Sequence, residues 1–143
     1  MTDGPTANEA AAGASGLAAI GVIRRDGRTD PFFDGAAADR LVVRRCEACG
    51  LWYAPDTTGC ADCGTDDLAW TEASGRAVLL SWAVAHSRHA EPAPLALVEL
   101  DEGPWMYGRL DGVAVPGEGL PLRAAFVHPD EGESYPVFRE CGR

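Results

Sequence analysis

Long apolar runs are missing from this chain of 143 residues. The stretch Leu17 to Ile23 is too short to cross a bilayer and stops at Arg24 and Arg25, which argues against membrane insertion. The first residues are acidic and rich in alanine and glycine, without the basic start of a secretory signal. Basic residues are scarce: 12 against 22 acidic ones, for a formal net charge of −10. Such a chain repels a phosphate backbone on average, so nucleic-acid binding would need a local patch that overcomes the field. Familiar catalytic signatures are absent as well. No serine sits in a nucleophile elbow, no glycine-rich loop is shaped to cradle phosphate, and no βαβ pattern or long helix is visible.

What is present is a doubled cysteine knuckle, Cys46-Glu-Ala-Cys49-Gly50 and Cys60-Ala-Asp-Cys63-Gly64. Two intervening residues let both sulfurs of a knuckle face one ion, and each following glycine suits a tight turn with positive φ. Cys46, Cys49, Cys60 and Cys63 therefore predict one structural zinc, closed to water and so not catalytic. Disulfides and a redox dithiol are the competing readings; the latter usually needs a pair at a helix start within an α/β unit. Reduced thiols fit a cytoplasmic setting. Cys141 is left over near the C-terminus.

Residues 1–28 read as a disordered or partner-docking tail, with Leu17 to Ile23 able to dock on a partner or on the body of the protein. Residues 29–45 read as a helical segment: Asp34 can cap a helix over Gly35 to Val43, although Val42-Val43 could equally be extended. That helix would set Arg40 and Arg44 on one face, with Arg45 adjacent and Phe32 and Phe33 nearby. Residues 46–70 form the ribbon, in which Leu51, Trp52 and Tyr53 are expected to cover the metal or form a hairpin strand. Residues 71–140 carry five strand candidates, at Ala77–Ala85, Leu95–Leu100, Trp105–Leu110, Leu122–Val127 and Tyr135–Arg139. The turn at Gly103 pairs the second with the third, and Pro136 makes the last an edge strand or a strand end. Five strands without a long helix point to a small barrel of the OB type. Residues 141–143 are a tail. His86 and His89 have a ligand-like spacing but no third partner, and Glu99, Asp101 and Glu102 read as solvated turn carboxylates.

The order Pro31-Phe32-Phe33-Asp34, Leu41 to Gly50, Tyr53-Ala-Pro55, Cys60 to Gly64, Trp70, Ser74-Gly75-Arg76, Ala96 to Gly103 and Pro136 to Arg139 resembles the DUF35 family. The resemblance implies a mainly β chain with an N-terminal helical segment, a rubredoxin-like zinc ribbon and a C-terminal five-stranded OB-fold barrel. It also implies a companion of thiolase-like enzymes, among them lipid-transfer-type thiolases and aldolases acting on acyl-CoA thioesters, with the zinc ligands at Cys46, Cys49, Cys60 and Cys63. No catalytic residues are implied.

Two functions are weighed on these grounds. In the first, the chain is a non-catalytic accessory subunit that binds and stabilises a thiolase-like enzyme. Arg40, Arg44 and Arg45 beside Phe32 and Phe33 are then the candidate contacts for a coenzyme A thioester, which carries phosphates and an apolar acyl chain; the bland reading makes them a solvated face and a small core. In the second, the barrel binds single-stranded nucleic acid through Trp82, Trp105, Tyr107 and Phe126, against which the acidic charge stands.

Overall fold

The computed structural model describes residues 22–87 and 90–141. The first helix, α1, spans Asp30–Ala37, with a proline in its first turn and Asp30 at its positive end. It stops because Asp39 turns left-handed at φ 62, an arrangement aspartate tolerates better than most residues. The Asp39 and Arg40 N–H groups donate to the Ala36 and Gly35 carbonyls, at 3.0 and 2.8 Å. This corrects the expected helix over Gly35 to Val43. Asp34 lies inside the helix rather than at its cap, and the β-branched pair Val42-Val43 is extended.

Strands β1 (Val42–Cys46), β2 (Trp52–Tyr53) and β3 (Leu68–Glu72) form a three-stranded antiparallel sheet in the order β2-β1-β3. Arg44 and Arg45 are therefore consecutive strand residues pointing to opposite faces, and Arg40 sits in the preceding turn; no helix face unites them.

Strands β4 (Arg76–Ser87), β5 (Ala90–Leu100), β6 (Trp105–Arg109), β7 (Pro121–Val127) and β8 (Tyr135–Glu140) form a second antiparallel sheet, in the order β6-β5-β4-β7-β8. All five expected strands are present, β5 and β6 pair across Gly103, and Pro136 lies on the last strand of the order. The sheet curls until its ends meet: Leu110, just past β6, forms a parallel bridge with Phe138, and the Asp111 N–H donates to the Phe138 carbonyl at 2.9 Å. The result is a small OB-like barrel.

One core joins ribbon and barrel. Leu41, Val43 and Ala73 of the ribbon sheet and its flanks pack with Leu79, Val98, Leu100, Leu110, Leu122 and Phe138, and Phe32 of α1 closes on them. The segment expected to end a tail at residue 28 is in part docked on the body: Ile23 packs against Tyr135 and Val137, and its carbonyl accepts the Glu133 N–H. Residues 17–21 of the proposed docking run lie outside the described residues, as does His89. Among the described residues, no helix is long and apolar enough to cross a membrane.

Arg25 clamps this segment, pairing with Glu133 at 2.8 Å and Asp34 at 2.9 Å. Its hydrogen bond holds the Glu133 carboxyl below the usual glutamate range. A carboxylate whose folded pKa is depressed stabilises the fold above its unfolded pKa of about 4.3 and stops doing so as pH falls through the folded value. Acidification is therefore expected to release residues 22–28 before the barrel unfolds. Glu133→Gln should bring that release to neutral pH, read as faster trypsin cleavage at Arg24, Arg25 and Arg28. Equal cleavage rates in the two proteins would show that the Arg25–Glu133 pair does not hold this segment.

Candidate functional site

The two knuckles repeat one backbone design. Gly50 and Gly64 take φ 76 and 78, and their N–H groups reach back to the Cys46 and Cys60 carbonyls. The Cys46 N–H donates to the Leu51 carbonyl and the Cys60 N–H to the Thr65 carbonyl, both at 2.8 Å. These turns aim four sulfurs inward, all within 4.8 Å of one another. Cys46 Sγ lies 3.7 Å from Cys63 Sγ, and Cys60 Sγ 3.8 Å from Cys49 Sγ. Four sulfurs about 2.3 Å from a central zinc stand about 3.8 Å apart at the corners of a tetrahedron, so the donor set fits such an ion. All five cysteines are free thiols, and no disulfide joins the knuckles.

Backbone N–H groups already point at the ligands: Cys49 N–H at Cys46 Sγ, and Asp62 and Cys63 N–H at Cys60 Sγ. The Tyr53 hydroxyl accepts the Ala61 N–H at 2.9 Å and hydrogen-bonds Cys60 Sγ at 3.2 Å. That hydroxyl, followed by the Cys63 amide, pulls the Cys60 thiol down to about 6. Cys49 is pushed up, chiefly by its hydrogen bond with Cys63 and then by burial. Ionising four thiols this close together requires a cation to offset their mutual repulsion. Sequence reasoning gave Tyr53 only a covering or strand-forming part, whereas it also orients a ligand. Tyr53→Phe is expected to weaken metal affinity roughly 10- to 100-fold, measured by competition with a chromophoric chelator. Unchanged affinity would reduce Tyr53 to packing.

The structure separates the five residues considered for coenzyme A. Phe32 and Phe33, ring centroids 5.2 Å apart and edge to face, line a cleft of about 370 Å³. Its other walls are Thr29, Ala54, Pro55, Asp56, Trp105, Met106 and Tyr107, so none of Arg40, Arg44 and Arg45 reaches it. Arg44 stacks 4.4 Å from the Trp70 ring and donates to the Leu68 and Thr57 carbonyls, fastening the ribbon. Arg45 lies 5.7 Å from the Trp52 ring and 3.9 Å from Glu47. Arg40 is exposed in its turn.

Of the aromatics weighed for base stacking, Trp82, Trp105 and Tyr107 are exposed rather than core residues, and Phe126 is half-buried against the main core. Glu102 accepts the Ser74 N–H, a structural use. Cys141 is no loose tail residue: its N–H donates to the Pro121 carbonyl and its sulfur lies 3.7 Å from Arg76. His86 falls on β4, its side-chain surroundings outside the described residues. One arrangement escaped sequence reasoning altogether. His128 links Ser134 Oγ through Nδ1 and Asp39 Oδ1 through Nε2, each at 2.8 Å. His128 and Asp39 are exposed and no member of the row lines the cleft, so it reads as a tie between the α1–β1 turn and the β7–β8 loop.

Comparison with known proteins agrees with this architecture. Residues 33–69 match the rubredoxin-like zinc ribbon domain of ChsH2, and residues 70–127 match its C-terminal OB-fold domain. A structure described as an Ltp2-ChsH2(DUF35) aldolase superposes with a TM-score of 0.70 at 31% identity, covering 81% of this chain and 96% of that one. A DUF35 protein of unknown function from Sulfolobus solfataricus shares the fold at 15% identity, with a TM-score of 0.55, 78% of this chain and 84% of its own covered. A probable enoyl-CoA hydratase alpha subunit of Thermomonospora curvata is 35% identical over 115 residues, 76% of this chain and 36% of that protein. A DUF35 domain-containing scaffold protein of Pyrococcus furiosus is 30% identical over 79 residues, 52% of this chain and 57% of its own length. The chain thus spans about a third and somewhat over half of these two relatives. With ribbon, barrel and their shared core all accounted for, the chain belongs to the DUF35/ChsH2 family.

Proposed function

We propose that this chain is a non-catalytic accessory subunit that binds and stabilises a thiolase-like enzyme acting on acyl-CoA thioesters, and that it carries one structural zinc. The observation that carries the reading is the match of ribbon and barrel together, over 96% of its length, to a chain of a DUF35-containing aldolase. The probable enoyl-CoA hydratase subunit of Thermomonospora curvata supports the acyl-CoA setting, and the scaffold protein of Pyrococcus furiosus supports an assembling rather than a catalytic part. Four thiolates fill a tetrahedral zinc and leave no position for water or substrate. Free thiols at the ligands suit the reducing cytoplasm.

The thioester then sits mainly on the enzyme. Arg44 and Arg45 are engaged within the ribbon, which leaves Arg40 as the candidate contact for a coenzyme A phosphate. The exposed Trp82, Trp105 and Tyr107 favour nucleic acid as the second reading, and the net charge of −10 opposes it. The zinc-loaded chain alone is expected neither to turn over acyl-CoA thioesters nor to shift a labelled single-stranded oligonucleotide at physiological salt. Thioester turnover by the chain alone would make it an enzyme, and salt-dependent oligonucleotide binding would put the second reading first.

A further inference from the structure

The cleft beneath α1 has an unusual balance of charge. Four of its nine lining residues are aromatic: Phe32, Phe33, Trp105 and Tyr107. Trp105 is 57% exposed and Tyr107 79%, large apolar surface for a protein to leave in water unless something covers it. Its lining includes no basic residue, and Asp56, itself exposed, is the one charged group. An anionic occupant would meet that carboxylate and the field of a chain carrying ten excess negative charges. A cation would find aromatic side chains to stack on and a carboxylate to pair with. The chain uses this chemistry within itself, where Arg25, Arg44 and Arg45 lie over the rings of Phe33, Trp70 and Trp52.

We propose that this cleft, between α1, the segment after β2 and strand β6, receives an arginine side chain of the thiolase-like partner, its guanidinium stacked on Trp105 and paired with Asp56. The inference rests on the accessory-subunit reading and specifies the partner's anchor. Arginine fits better than lysine because its planar, weakly hydrated head stacks on rings while its stem covers apolar walls. A desolvated arginine beside aromatic residues is the usual make-up of an interface hot spot.

The test uses the full zinc-loaded chain and the thiolase-fold subunit that co-purifies with it, with affinity measured by calorimetry at two salt concentrations. Trp105→Ala is expected to weaken binding roughly 2- to 30-fold, the range of a ring–cation contact. Asp56→Asn should weaken it and flatten its salt dependence, while Tyr107→Phe keeps a ring and stays near wild type. Trp105 and Asp56 are exposed, and unchanged zinc content and melting temperature confirm that each variant folds. Replacing the matching partner arginine by methionine should make the Asp56→Asn change nearly silent, a coupling that a merely structural role for Asp56 would not produce. Affinities within about two-fold of wild type in both Trp105→Ala and Asp56→Asn would overturn the inference and leave the accessory reading standing. Saturable quenching of tryptophan fluorescence by octanoyl-CoA, lost in Trp105→Ala, would give the cleft to an acyl group and overturn it too. Failure of the wild-type chain to bind any thiolase-fold subunit would overturn both.

Discussion

Stripping the metal with a strong chelator, or replacing Cys46 by serine, is expected to unfold the ribbon and to loosen the barrel with it. Around the knuckles the ribbon has only a small buried cluster of its own. Its own buried cluster is Cys46, Cys60 and Leu68, with Cys49 and Tyr53 packed alongside, and two of those three buried residues are ligands. Strand β2 is two residues long. A module this small lacks the apolar area to offset its chain entropy, so metal binding supplies folding free energy, about 10–16 kcal/mol in apparent terms for comparable zinc peptides. The loss does not stop at the knuckles. Val43, three residues before Cys46 and fully buried, belongs to the core shared with the barrel, as does Leu41. Circular dichroism and thermal unfolding with and without chelator measure the effect: the metal-free protein should melt far earlier and regain its transition on adding zinc. An unchanged melting curve would show that the ribbon is held by packing alone.

Phe138→Ala is expected to cost about 3–5 kcal/mol, enough to threaten folding in a protein of ordinary marginal stability. Phe138 is wholly buried on β8, where its backbone makes the bridge to Leu110 that closes the barrel. Its ring lies against Gly108 of β6, where an added Cβ would come within 2.8 Å of a ring carbon. Glycine is thus required at 108 to admit the ring, and Gly108→Ala should itself destabilise, by about 1–3 kcal/mol of overpacking. Urea unfolding reads both changes. A Phe138→Ala loss below about 1 kcal/mol would mean that the barrel is closed by other contacts.

The parts of this fold that were legible in the sequence rest on local chemistry. Two Cys-x2-Cys-Gly units fix their own turns, so the metal cluster could be placed residue by residue. The strands of the barrel alternate between turn residues such as Asp101-Glu102-Gly103 and fell within a few residues of their expected ends. The β4–β5 hairpin ran longer than expected, to Ser87 and from Ala90. The helix lies earlier than the sequence suggests because Asp34 resembles a cap, whereas Pro31 sets the start and the left-handed Asp39 sets the stop. That difference carries the arginines with it, since a strand sends Arg44 and Arg45 to opposite faces where a helix would have grouped Arg40 with Arg44. The cleft was not legible at all. Phe32, Pro55 and Trp105 meet there only because ribbon and barrel share a core, and the His128–Asp39 contact joins residues 89 positions apart.

The accessory-subunit role is tested by recovering the tagged chain from its native cells at moderate salt, identifying the bound proteins by mass spectrometry and measuring the zinc eluted with them. A thiolase-fold subunit is expected at near-equal stoichiometry, with about one zinc per chain. Recovery of the chain with nucleic acid or its processing proteins, and without any thiolase-fold subunit, would contradict that role.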